Sequence, residues 1–134
     1  MRALVTGGAG FIGSHLVDRL VARGDDVTVA DNLSSGIIDF IQGHIDSGAV
    51  TFHNIDLKDL DSLIPVMEGV DMVYHLAANA DIRLGTRITD TDLKEGTIVT
   101  YNVLEAMRLA GVRKIAFASS SVVYGEGAPM PTPE

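Results

Sequence analysis

The chain has no cysteine and no tryptophan in 134 residues. Without cysteine it can form no disulfide, thiolate nucleophile or cysteine-ligated metal centre, and a reducing cytoplasm suits it. Basic residues are scarce: 10 Lys and Arg face 18 Asp and Glu, a formal net charge of −8. That balance argues against a nucleic-acid partner, which requires a basic face. It still permits a phosphorylated small molecule, because a local set of backbone N–H groups can hold an anion on an acidic protein. No apolar stretch is long enough to span a bilayer. The N-terminus "MRALVTGG" lacks the apolar core and cleavage site of a signal peptide. The expectation is a cytoplasmic protein that touches neither membrane nor nucleic acid. His15, His44 and His53 show no metal-ligand spacing, so no metal is expected. His75 closes an apolar run and reads as a packed core histidine.

What the chain does have is enough apolar residue, 46%, to bury the core of one domain. Short apolar or β-branched runs at 2–6, 25–31, 49–56, 70–78 and 112–121 read as strands. Between them, 12–23 places Ile12, Leu16, Val17, Leu20 and Val21 on one helical face, with Gly24 as terminator. Residues 32–48 hold room for one short helix. Residues 58–67 read as a helix weakened by Pro65. Residues 92–110 form the longest helix candidate, weakened at Gly96 and ended by Gly111. The tail from Gly125 is turn and loop. Five strands alternating with helices imply parallel pairing through right-handed crossovers. The fold class is therefore α/β, a doubly wound parallel sheet of Rossmann type.

In such a sheet ligands bind beyond the carboxyl ends of the strands, where the first β–α turn carries "TGGAGFIGSHL". Gly8, Gly10 and Gly13 fit G-x-G-x-x-G, while Gly7, Gly10 and Gly13 fit G-x-x-G-x-x-G. Glycine allows the tight turn and the approach of backbone to a pyrophosphate, and the helix beginning near Phe11 aims unpaired N–H groups at it. Asp31 follows Gly13 by 18 residues, near the spacing of a carboxylate that takes the adenosine ribose hydroxyls. It would repel a 2′-phosphate, and the neighbouring "NLSSG" offers no arginine to accept one, which favours NAD over NADP.

"TGGAGFIGSHL", "DNLSSG", "HLAA" and "FASSSVVYG" stand in the order seen in extended short-chain dehydrogenases/reductases, and the chain resembles the NAD-dependent sugar-nucleotide epimerases and dehydratases of that family. The resemblance implies that Gly7, Gly10 and Gly13, with Phe11 and Ile12 between them, hold the pyrophosphate. It puts Asp31 and Asn32 on the adenosine ribose, with Ser34 and Gly36 nearby. Asp56 and Leu57 would flank the adenine, the carboxylate taking its exocyclic amine. Leu76, Ala77 and Ala78 would line the nicotinamide side, and Ser120 would be the catalytic serine. Each has a plainer reading: Asp56 as a helix N-cap, the alanines as core packing, Ser119–Ser121 as a turn cap, "DLKDLD" as a solvated helix face.

The family's chemistry rests on a Tyr-x-x-x-Lys pair that acts as the base on a sugar hydroxyl. Here Tyr124 is followed four positions on by Ala128, and no lysine follows Lys114. Gly96 stands where the family has an asparagine, and Ala80 where some epimerases carry a lysine. The expectation is an incomplete NAD-binding domain, the first part of a longer enzyme that ends before the sixth strand and the sugar-binding region. Such a chain would be inactive alone and prone to form a homodimer or self-associate, with a nucleotide sugar as substrate of the whole enzyme. The alternatives are a non-catalytic nucleotide-binding or interaction module, or part of a dehydratase or reductase.

Overall fold

The structure is a computed structural model that describes residues 1–81, 83–125, 127, 129 and 131, the side chains at 121 and 122 excepted. Five parallel strands, β1 (Arg2–Thr6), β2 (Asp26–Asp31), β3 (Val50–Asn54), β4 (Met72–His75) and β5 (Ile115–Phe117), form one sheet in the order β3-β2-β1-β4-β5. The order reverses beside β1, so the crevice for a ligand opens between the ends of β1 and β4. Register is continuous across the centre: Thr6 stands opposite Ala30 on one side and His75 on the other.

Alternation along the strands divides the core in two. Leu4 and Val73 point to one face and meet Val99, Val103, Ala106 and Met107 of α5 (Val99–Ala110), with Leu63 of α3 (Leu60–Leu63) and Met67. Ala3, Val5, Val27 and Val29 point to the other and meet Val17 and Leu20 of α1 (Phe11–Ala22) and Ile41 of α2 (Asp39–Asp46). Emptying one of these sites, such as the fully buried Leu63, costs about 2–5 kcal/mol.

The differences from the expected elements have local causes. Ile12 is 69% exposed and not on the buried face, because it sits in the first turn of α1, above the sheet edge. The expected 58–67 helix is four residues of α3 followed by a 3₁₀ turn over Pro65–Met67, since proline cannot donate to the ladder. Asp59 is its N-cap, accepting from the N–H groups of Asp61 and Ser62; Asp56 is not. "DLKDLD" is accordingly a loop with a buried Leu57 and the cap Asp59 that runs into the first two residues of α3, not a solvated helix face. The 92–110 helix is interrupted where Gly96 weakens it: Leu93–Ile98 is wound as a π-helix before α5 begins. Gly111, at φ 74°, ends α5 as expected. A further short helix, α4 (Leu84–Arg87), follows β4. β5 is three residues long, and a 3₁₀ turn covers Ser121–Tyr124. The expected loop tail lies partly outside the described residues.

His75 is 1% exposed and joins three elements at the end of β4. Its Nδ1 lies 2.6 Å from Thr6 Oγ1 on β1, and its Nε2 lies 3.1 Å from Thr100 Oγ1 on α5. A neutral ring satisfies both hydroxyls, and burial pushes its pKa down to about 4. Because the folded value lies below the ordinary 6.5, the unfolded chain takes up this proton first as pH falls. The stability is complete above the ordinary value and is lost progressively toward the folded one. Urea unfolding at pH 7 and pH 5 is expected to differ by about 2 kcal/mol on this account, the lower pH being less stable, and His75→Asn is expected to remove most of that difference.

Candidate functional site

Chain segments leaving all five strands surround one cleft of about 330 Å³ at the carboxyl edge of the sheet. Gly7, Gly10, Phe11, Ile12 and Gly13 form its floor, where close backbone approaches require glycine. Gly7 has φ 70°, and a Cβ on it would stand 2.8 Å from the backbone N of Ala77. A Cβ on Gly13 would stand 2.2 Å from the carbonyl O of Gly7, so α1 leans directly on the turn. Gly8 has another role: its missing side chain is replaced by Val29 of β2, at 2.7 Å from the Cβ position. Of the two spacings, Gly7, Gly10 and Gly13 line the cleft, and Gly8 is buried in the core beneath it.

The Ser14 N–H donates to the Gly10 carbonyl at 2.9 Å, the bond that opens the ladder of α1. The N–H groups of Phe11, Ile12 and Gly13 precede it and are left by helix geometry for a ligand. No acidic side chain occupies the first turn of α1, so the positive end of its dipole is not neutralised.

From β2 come Asp31, Asn32, Ser34 and Gly36. Asp31 is 8% exposed and both its oxygens are engaged: Oδ2 accepts from Ala9 N–H at 3.0 Å and Oδ1 from Leu33 N–H at 2.8 Å. Each oxygen keeps a lone pair for a hydroxyl. Leu33 takes φ 57°, and Ile37 N–H returns to the Ala9 carbonyl at 2.9 Å. The second loop is thereby folded back onto the glycine turn. Asp56 and Leu57 line the cleft after β3, and Leu76, Ala77, Ala78 and Ala80 after β4. Ser120 is not on the wall. It lies two residues past the lining residue Ala118, exposed, where its carbonyl accepts from Val123 N–H at 3.2 Å. The structure therefore brings together every expected cofactor residue and leaves the expected catalytic serine outside the cleft.

Two features have no local signature in the sequence. Ala9 supplies a buried N–H to Asp31, though nothing distinguishes it among small residues of the turn. Glu95, on the π-wound segment, lines the cleft and pairs with Lys58, a residue 37 positions away. Among the described residues no helix is long and apolar enough to cross a membrane, and no group of three or more His, Cys, Asp or Glu could hold a metal ion.

A parallel sheet of this order, with a glycine-floored cleft at its switch point and a carboxylate closing β2, defines a Rossmann-type dinucleotide site. Residues 3–134 match the model of the NAD dependent epimerase/dehydratase family, to which this chain belongs. It is similar to a UDP-glucose 4-epimerase of Mycolicibacterium smegmatis, 40% identical over 136 residues that take in 100% of this chain and 44% of that protein. It is nearly as similar to a UDP-N-acetyl-alpha-D-glucosaminuronate decarboxylase of Bacillus cytotoxicus, 38% identical over 96% of this chain and 39% of that protein. A crystal structure of UDP-galactose 4-epimerase superposes with a TM-score of 0.86 at 48% identity, covering 100% of this chain and 43% of the other. The UDP-glucose 4-epimerase of Thermus thermophilus in complex with NAD gives 0.80 at 39%, covering 90% and 38%. The chain thus spans less than half the length of these relatives.

The glycine distances separate two substitutions of one kind. Gly13→Ala drives a Cβ into backbone and is expected to lower stability by about 1–3 kcal/mol. Gly43→Ala, in α2 with nothing within 4 Å of the Cβ position, is expected to raise it by about 0.5–1 kcal/mol. Thermal melts of the two variants check both signs.

Proposed function

We propose that the cleft binds NAD and that this chain is the cofactor-holding part of a sugar-nucleotide epimerase. One observation carries the reading: three N–H groups at the unneutralised start of α1 stand beside Gly7, Gly10 and Gly13, which put no side chain in the way, next to a buried carboxylate. In this reading the pyrophosphate lies on Gly7, Gly10, Phe11, Ile12 and Gly13, where N–H groups and the helix dipole replace the missing positive side chains. Asp31 and Asn32 take the adenosine ribose hydroxyls, beside Ser34 and Gly36. The Asp31 carboxylate disfavours a 2′-phosphate, and Leu33, Ser34 and Ser35 provide no cation to offset it. Asp56 and Leu57 flank the adenine. Leu76, Ala77 and Ala78 offer apolar contacts to the nicotinamide half, and a side chain on Gly7 would run into the backbone of Ala77.

Bound there, the nicotinamide supplies a hydride acceptor and donor for a sugar carbon. The chain's own residues hold and orient the dinucleotide and keep water from its buried face. Ser120 would hydrogen-bond the reacting sugar hydroxyl once a base from outside the cleft is brought beside it. No Tyr-x-x-x-Lys pair is present to act as that base, so the chain alone is expected to be inactive. A decarboxylase is the second reading, favoured by the near-equal identity to that class. The whole protein would act on a nucleotide sugar in the cytoplasm, a setting compatible with a chain free of cysteine.

Isothermal titration tests this directly. NAD is expected to bind and NADP to bind at least about tenfold more weakly, with Asp31→Ala removing the distinction. The same preparation is expected to show no interconversion of UDP-glucose and UDP-galactose. No heat with NAD would overturn the binding proposal, and measurable turnover would overturn the inactivity.

The self-association expected from the sequence is also proposed, through the exposed apolar side of α5 and the β5 edge. Tyr101 and Leu104 on α5 and Phe117 on β5 are 62%, 48% and 57% exposed. An edge strand and an apolar helix side of this kind favour pairing. Light scattering is expected to show a dimer or a mass that rises with concentration, against a constant monomer mass if the proposal fails.

A further inference from the structure

Lys58 lies outside the cleft wall, yet its ammonium connects two carboxylates that are on it. Its Nζ stands 3.3 Å from Asp56 Oδ2 and hydrogen-bonds Glu95 Oε1. Its backbone N–H donates to Asp56 Oδ1 at 2.9 Å, so one residue holds both oxygens of Asp56. Glu95 is delivered by the π-wound segment Leu93–Ile98, a winding found mostly as short departures from α-helix and often at functional sites. The same turn has a second, independent anchor: the buried Asn102 amide donates to the carbonyls of Leu57 and Lys58, each at 2.9 Å.

Resting on the reading of this cleft as an NAD site, we propose that Lys58 is a positioning residue that, tethered to Glu95, fixes the Asp56 carboxylate to read the exocyclic amine of adenine. The two ties do different work. Asn102 fixes the backbone of the turn, and Lys58 fixes the direction of the Asp56 side chain. The Glu95 hydrogen bond, opposed by partial burial and aided by Asp56, holds the Lys58 pKa above the ordinary lysine value, so its charge is constant across the physiological range. Without that cation two carboxylates on one wall repel each other, and Asp56 loses one of its two restraints. The consequence falls on selectivity for the base, since the phosphate and ribose contacts are made by other strands.

The test compares NAD with nicotinamide hypoxanthine dinucleotide, in which an oxygen replaces the adenine amine. Wild-type chain is expected to prefer NAD by about tenfold, the worth of one hydrogen bond to a carboxylate. Lys58→Met and Glu95→Ala are each expected to bring the two ligands within about twofold of one another. Lys58→Arg is expected to restore the preference, which a purely structural role would not require. Thermal melts establish that each variant is folded, and Glu95→Ala reads the same tether if Lys58→Met is not. A wild-type chain that binds NAD with no preference, or folded variants that keep it, overturns the role of Lys58 and leaves the NAD site standing. Absence of NAD binding by the wild-type chain overturns both.

Discussion

No side chain fits between Gly7 and the chain leaving β4, and the rest of the site follows from that contact. The Cβ position of Gly7 is 2.8 Å from the nitrogen of Ala77, and that of Gly13 is 2.2 Å from the oxygen of Gly7. These two approaches bring α1 down onto the sheet edge at the place where strand order reverses. A larger residue at either point would lift the helix, and its N–H groups would no longer stand over the crevice. The thermodynamic cost of glycine in a turn, its larger entropy loss on folding, is offset here by packing on both sides of the sheet.

An acidic chain that holds an anion must do so without bulk charge, and the geometry shows how. The carboxylates of the cleft are Asp31, Asp56 and Glu95. Asp31 spends part of its charge on the N–H groups of Ala9 and Leu33, and Asp56 and Glu95 share Lys58. None lies in the first turn of α1. Negative side chains are therefore satisfied locally, and the dipole end of the helix remains the positive feature of the floor. Asp31 has a structural duty beside its proposed one: through Ala9 it locks the glycine turn to the loop after β2. Removal of that carboxylate would orphan a buried N–H as well as a ribose contact.

Much of this was legible in the chain because the informative features are local. The turn glycines, Asp31 at the end of a β-branched run and the existence of five strands all show within short windows, although β4 and β5 are shorter than their apolar runs. His75 was legible as a core residue from the apolar run it closes, though its Thr6 and Thr100 partners were not. What was hidden depends on tertiary placement. Ile12 has helical spacing with Leu16 and Val17, but the start of α1 overhangs the sheet, so periodicity assigns it to the wrong face. Asp56 and Asp59 are equally good N-cap residues by type, and only the breadth of the loop after β3 selects Asp59. The π-winding before α5 has Gly96 as a hint, but nothing in its own window sets it apart from α-helix. The Lys58–Glu95 pair spans 37 positions and leaves no pattern at all.

The similarity to two enzyme classes bears on where outcome is decided. An epimerase and a decarboxylase match this chain at 40% and 38% over nearly its whole length, although the names describe different products. Both matches cover the stretch that carries the glycine floor and the carboxylates after β2 and β3. Holding a dinucleotide, the work proposed for that floor and those carboxylates, does not depend on the fate of the sugar. Ser120 points the same way from the opposite side. It sits beyond the cleft wall, next to a 3₁₀ turn at the end of the shortest strand. In the proposed function, cofactor binding is thus built into packed backbone, where few substitutions are tolerated, and the choice of product belongs to groups that approach this surface from outside the cleft.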